Sequence, residues 1–284
     1  MASTGKAALD DSVFAEIVEA QMVPELRPAN TSTQFLRFAT GGASTVASFP
    51  LWTDPGAASA PTDDLTEITS TALADSQQSA TAAGIGFRVD VTDLIRASHP
   101  SDLYSEVAGM VTRSMMEKWE TDVAALMDDF SNVTTAASTL TPVDLLAAVS
   151  ALEQRDIPGP YVAYLDPKQT GELRQEIATT TAVYQAGRDG EKVAPFGNDG
   201  FFGTYMGVPI WQSSLVVTTS GLVGGAVFAA GPGVNAAIGV YELIPRRLET
   251  QRDASYAALE FVGYHAYGLV EISDTRGQTL KSAA

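Results

Sequence analysis

A run of apolar side chains at three- and four-residue spacing constrains this chain more than any other feature. Leu103, Val107, Met110, Val111, Met116, Trp119, Val123, Leu126, Met127 and Phe130 fall on one stripe of a helix, because an α-helix turns once in 3.6 residues. Ser101 or Asp102 can cap its first turn. At about 1.5 Å rise per residue, residues 103–130 make a rod of ~40 Å, far beyond the mean helix length of about 11–12 residues. Such a rod is a backbone along which separate subdomains can be hung. Its Met- and Trp-bearing stripe is read as plain core, not as a ligand box.

The composition limits what can surround that rod. With 284 residues and 45% apolar content, the chain buries an ordinary core in one large domain or two. It has no cysteine, which excludes disulfides, thiolate nucleophiles and Cys-based metal sites. His99 and His265 alone cannot build a histidine metal centre, so metal chemistry would rest on carboxylates. The N-terminus lacks a basic region followed by an apolar run, and residues 222–240, the nearest approach to a membrane span, are interrupted by Gly-Pro-Gly. A soluble, unsecreted chain with no membrane contact is expected. The net charge of −17 argues against binding nucleic acid through its phosphates, which takes clustered Lys and Arg. It suits a solubility device, or the lining of a container whose polyanionic contents must not stick.

Residues 1–45 read as an arm. Phe14, Ile17, Val18 and Met22 share a helical face, and Pro24 and Pro28 stop the helix; that face docks on its own domain, on a neighbouring subunit or on a scaffold. Residues 38–87 contain no Lys, Arg or His, whereas Asp54, Asp63, Asp64, Glu67 and Asp75 are present. Weak alternation over residues 66–90 predicts a two-stranded β ribbon, marginal alone and needing another surface; a surface hairpin or linker is the plainer alternative. A second helix opens at Thr141, with Pro142 at its first position and Asp144 in its first turn, and is expected to stop at Ile157-Pro158-Gly159. "YVAYL" followed by Asp166-Pro167 predicts strand, cap and helix, and the turn has none of the glycines a pyrophosphate site needs. Residues 187–206 read as a glycine-rich mobile loop. "MGVPIWQSS" and "GGAVFAA" read as strands, the second buried on both faces. Beyond Gly-Pro-Gly, residues 235–244 and then Tyr256, Leu259, Phe261 and Gly263 fit long antiparallel strands.

The ordered set "GIGFRVDVTDLIRAS", "VAYLDPKQTGELR", "GTYMGVPIWQSS" and "AAIGVYELIPRRLETQRD" resembles the major capsid proteins of tailed bacteriophages, the Hong Kong 97-type fold, over residues 30–275. The resemblance implies an α+β chain divided into an N-terminal arm (1–45), an extended β-hairpin loop (46–88), a peripheral domain with a spine helix (89–142), an axial domain (143–234) and C-terminal strands returning to the peripheral domain (235–284). It implies a non-enzymatic homo-oligomer of hexamers and pentamers that encloses double-stranded DNA without sequence-specific binding. Such a subunit needs no cofactor, works with portal, scaffolding and decoration proteins, and joins a virion capsid assembled in the host cytoplasm. Cross-linked members join a loop lysine to an asparagine; the extended loop here has no lysine, so Asn235, Glu260 and Glu271 receive no catalytic role and assembly without covalent cross-links is expected. The acids Asp54, Asp63, Asp64 and Glu67 require solvent or basic partners, and Arg246, Arg247 and Arg252 are the most concentrated bases available. Segment 46–88 is therefore expected to be mobile in the free subunit and ordered across a neighbour. The alternatives are an encapsulin-like nanocompartment shell, a carboxylate-based hydrolase using Asp253 and Glu260, and a soluble binding module or tail component.

Overall fold

A computed structural model describes residues 37–42, 44–52, 72, 75–98, 103–136, 138–179, 201–205, 207–230 and 236–283. The expected helix forms as α2 (Leu103–Asp128, 26 residues), preceded by the short α1 (Asp93–Ser98). Its inward face carries Val107, Val111, Met115, Met116, Trp119, Val123 and Met127, and Phe130 is buried just beyond its end. The stripe is rotated from the one expected: Met110 is 61% exposed and Met115 takes its place inside. Both residues satisfy an apolar period, and only the packing partners choose between them. Ser101 and Asp102, the expected caps, lie outside the described residues, as does His99.

Helix α3 (Pro142–Glu153) is set by local chemistry. The Thr141 hydroxyl accepts from the Asp144 amide while the Asp144 carboxylate accepts from the Thr141 amide, a reciprocal cap at the positive end of the helix dipole. The helix stops at Glu153, earlier than Ile157, because the chain turns through Asp156 at φ +57°. Strand β6 (Tyr161–Leu165) leads into α4 (Pro167–Thr179), where the Asp166 carboxylate accepts from the Lys168 amide at 2.7 Å.

A four-stranded sheet has the order β1 (Arg37–Thr40), β11 (Ile238–Asp253), β12 (Ala258–Glu271), β4 (Ala83–Thr92). A seven-stranded sheet runs β5 (Val133–Thr135), β13 (Gly277–Ala283), β10 (Leu222–Ala229), β6, β8 (Val208–Gln212), β7 (Phe201–Tyr205), with β9 (Thr218–Thr219) on β10. The central strands of this sheet alternate as period two requires. Val162, Tyr164, Ala226 and Phe228 join the cluster around α2, whereas Ala163, Leu165 and Val227 join Leu145, Ala148, Leu152 and Leu173 of α3 and α4. "GGAVFA" is thus buried on both faces, as its unbroken apolar run predicts. Phe261, Val240 and Tyr267 of the other sheet reach the same cluster as α2, so the spine stands between the two sheets.

Several expectations about the strands are corrected. Of residues 66–90 only β3 (Asp75–Thr81) belongs to the ribbon: its partner is β2 (Val46–Trp52), and residues 83–92 join the four-stranded sheet against β12. Tyr256 does not alternate within a strand; it stands 77% exposed in the turn between β11 and β12. The last strand, β13, pairs with β10 and β5 and not with β11 or β12. The loop expected over residues 187–206 is corrected at its end, where Phe201–Tyr205 form β7 against β8; its residues 187–200, like the arm face of Phe14, Ile17, Val18 and Met22, lie outside the described residues.

Candidate functional site

Side-chain chemistry concentrates at the β2–β3 ribbon, at the arginines of β11 and at the joints that hold the two sheets to the spine. The ribbon is rooted on its own chain. Phe49, 1% exposed, packs with Ala80, Tyr241 and Ile272, and the Arg37 guanidinium lies 5.6 Å from the Phe49 ring centre. The Tyr241 hydroxyl donates to the Ser44 carbonyl at 2.6 Å, and the Ala82 amide donates to the Thr45 carbonyl at 2.7 Å. Gly268 permits this approach, since a Cβ there would lie 2.5 Å from the Thr81 carbonyl oxygen. At the other end of the paired segment Trp52 is 59% exposed. Asp54, Asp63, Asp64 and Glu67 lie outside the described residues, as does Asn235.

Arg246, Arg247 and Arg252 lie on one strand but face different surroundings. Register shifts on either side of Ile244 interrupt the ladder of β11 with β12, where Pro245 has no amide to donate. Arg246 turns inward, 5.9 Å from the Trp119 ring centre, with its Nη1 lacking a hydrogen-bond partner among the described residues; burial pulls its pKa down, and Glu242 opposes the shift. Arg247 lies 3.2 Å from Glu249 and over Tyr264. Arg252 forks onto Asp93, with Nη1 and Nη2 donating at 2.7 and 2.5 Å. That bond holds the Asp93 carboxyl below the usual carboxylate range. Each of the three bases therefore already serves its own chain.

Three carboxylates of α2 join the spine to the sheets. Glu120 accepts from the hydroxyls of Tyr164 (2.7 Å) and Ser213, both on the seven-stranded side. Asp122 accepts from the Tyr267 hydroxyl of the four-stranded sheet at 2.6 Å, and burial raises the pKa of that phenol. Asp128 accepts from Thr219 at 3.2 Å and lies 3.1 Å from the Lys281 ammonium. Beneath the spine, fully buried His265 lies 3.0 Å from Glu242; the bond keeps the Glu242 carboxyl low, and burial keeps the imidazole below its ordinary pKa. The apolar stripe did not disclose these partners. Their only sequence signal is the presence of acids at positions 120, 122 and 128, interleaved with Trp119, Val123 and Met127.

The acids considered for hydrolysis serve as fasteners. Asp253 accepts from the amides of Ser255 (2.8 Å) and Tyr256 (3.4 Å) and so shapes the turn, while Glu260 accepts from Arg88 at 2.7 Å. Glu271 is pushed up to about 7 by burial first and then by the Asp274 charge. Among the described residues no group of three or more His, Asp or Glu side chains is placed to hold a metal ion, and no helix is long and apolar enough to cross a membrane.

The sequence model of the Phage capsid protein family matches residues 74–278, most of the chain and nearly all of the elements just described. The chain belongs to that family. Solved structures with the same fold include the capsid of Ralstonia phage GP4 (TM-score 0.70, 13% identity, covering 89% of this chain and 90% of that one). The capsid of Cyanophage P-SCSP1u matches at TM-score 0.65 and 18% identity, over 88% of this chain and 86% of that one. The holo-SrpI encapsulin complex from Synechococcus elongatus PCC 7942 matches at TM-score 0.60 and 14% identity, over 86% and 84%. No curated protein matches. The α+β, Hong Kong 97-type fold expected from the four ordered segments is the fold observed.

Proposed function

We propose that this family member is the major capsid protein of a tailed bacteriophage, whose copies close as hexamers and pentamers into an icosahedral shell around double-stranded DNA. The observation that carries the reading is the family match over residues 74–278, and the geometry fits it. A rigid spine holds two sheets apart, and a ribbon rooted at Phe49 offers the exposed Trp52 outward. An exposed Trp is the side-chain type that most often anchors an interface. In this reading the extended loop spans residues 46–88 and lies on a neighbouring copy, where Asp54, Asp63, Asp64 and Glu67 meet basic groups. Arg247 and Arg252, exposed though already paired, are the candidates to share themselves. Residues 143–234 form the axial domain, joined by β5 and β13, and the four-stranded sheet with α2 forms the peripheral domain.

Many modest contacts add up through multivalency, so the shell requires no catalytic group, cofactor or metal. The charge of −17 keeps the wall from adhering to packaged DNA. Portal, scaffolding and decoration proteins are the partners such a shell uses, and assembly takes place in the host cytoplasm. Negative-stain microscopy of the purified protein tests the proposal: closed shells or rings of five and six are expected, and a chain that stays monomeric at every concentration refutes it. The likeness to the SrpI encapsulin complex supports a second reading, an encapsulin-like nanocompartment shell. Nuclease-protected DNA in native particles marks the first reading, and a co-purifying protein cargo marks the second.

A further inference from the structure

Helix α3 is apolar on every side, yet among the described residues only one side is covered. Its twelve residues carry two charges, Asp144 and Glu153, and Asp144 is held in the reciprocal cap with Thr141. Leu145, Ala148 and Leu152 face the core. The opposite arc has Val143 72% exposed and Leu146 43% exposed, with exposed Ala147 and half-buried Ser150 completing the i, i+3, i+4, i+7 set. A surface helix normally carries its charges on that arc. Helix α2 shows Arg113, Glu117 and Lys118 there, and α4 shows Lys168, Arg174 and Glu176. A helix that is hydrophobic all round is one that is buried in its working state.

We infer that the Val143–Leu146–Ala147–Ser150 face of α3 is covered by a neighbouring copy of this chain inside a capsomer ring; the inference rests on the shell reading. Charge favours this occupant. Copies at −17 each repel wherever carboxylates meet within a Debye length, about 8 Å at physiological salt, so they can approach most readily through an arc with no charge short of Glu153. A basic partner protein would be drawn to acids, which this arc lacks. Size favours it too. A twelve-residue helix is ~18 Å long, and one arc of it buries only a few hundred Å², well under the roughly 800 Å² per partner of a stand-alone complex. That is too little for an independent ligand and enough for one of several simultaneous contacts in a ring. The contact is heterologous, α3 of one copy against a different surface of the next, because only such contacts propagate around a ring.

The chain contains no cysteine, so a single introduced thiol reports on this face alone. Ala147→Cys, a small-for-small change, is labelled with a maleimide in free subunits and in particles; labelling at least tenfold slower in particles is expected. Val143→Cys repeats the measurement if Ala147→Cys fails to assemble. A photo-cross-linker on that thiol, in particles grown from mixed light and heavy isotope copies, should yield cross-linked pairs of mixed mass. Cross-links confined to one copy, reaching residues 1–36, or cross-links to a different protein would overturn the choice of occupant. Particles of the Ala147→Cys variant whose thiol is labelled as fast as in free subunits overturn this inference and leave the shell reading standing. A parent chain that never assembles overturns both. Leu146→Asp should leave the melting temperature of the subunit within about 2 °C of the parent, as surface substitutions generally do, and lower particle yield at least tenfold; undiminished yield refutes the contact.

Discussion

Replacing Trp119 by alanine should loosen the joint between α2 and the four-stranded sheet. The indole is 3% exposed, meets the Tyr267 ring edge-on at 4.5 Å, lies 5.5 Å from His265, and has the Arg246 guanidinium 5.9 Å from its centre. Truncating such a side chain costs ~3–5 kcal/mol. Unfolding entropy of about 2.1 cal/mol/K per residue over 284 residues comes to about 0.6 kcal/mol/K, so a loss near 4 kcal/mol lowers the melting temperature by about 7 °C. The Trp119 Nε1 has no hydrogen-bond partner among the described residues, so Trp119→Phe forfeits packed area and no polar contact seen there. It should cost ~1–2 kcal/mol, or about 2–3 °C. Scanning calorimetry of free subunits, with particle yield in parallel, measures both variants. A drop below about 2 °C for Trp119→Ala, or equal drops for the two variants, would refute the assignment of the indole to a packed joint.

Hydrogen exchange on free subunits should find residues 46–52 and 75–81 protected, because Phe49 and Ala80 dock on Tyr241 and Ile272 of the same chain; this replaces the expectation of a segment mobile throughout. Phe49→Ala should release the ribbon while β11 and β12 keep their protection, and fast exchange of the ribbon in the parent chain would show that the root does not hold. Glu271 is held near 7 in the folded chain against an ordinary value of 4.5, so the folded state keeps a proton that the unfolded state has released. Its stabilising contribution is full below pH 4.5 and is lost as pH rises through 7. Glu271→Gln should therefore raise the melting temperature at pH 8 and flatten its decline between pH 5 and 8; an unchanged slope contradicts the shift. Thr141→Ala removes one half of the reciprocal cap of α3 and should cost about 1 kcal/mol in thermal unfolding, with Thr141→Ser restoring most of it. An alanine variant as stable as the parent would show that the cap adds nothing.

The sequence by itself determined whatever depends on neighbours three or four residues away. The spine follows from its apolar period, α3 from Thr141, Pro142 and Asp144, α4 from Asp166 and Pro167, and the doubly buried strand β10 from its unbroken apolar run. These signals are local, and the physics that reads them needs no partner. The tertiary structure alone decided everything that depends on residues brought together from afar. Met110 and Met115 fit the helical period equally well, and Met115 is inside because Gly263 of β12 leaves room for its sulfur. Residues 83–92 could continue the ribbon or join a sheet, and 172 positions separate Arg88 from the Glu260 that ties them to β12. The arginines at 246 and 247 are adjacent and chemically alike, yet the interrupted register of β11 turns one under Trp119 and leaves the other in solvent. Strand pairing and burial are long-range choices among locally equivalent options, and composition and spacing contain no term that distinguishes them.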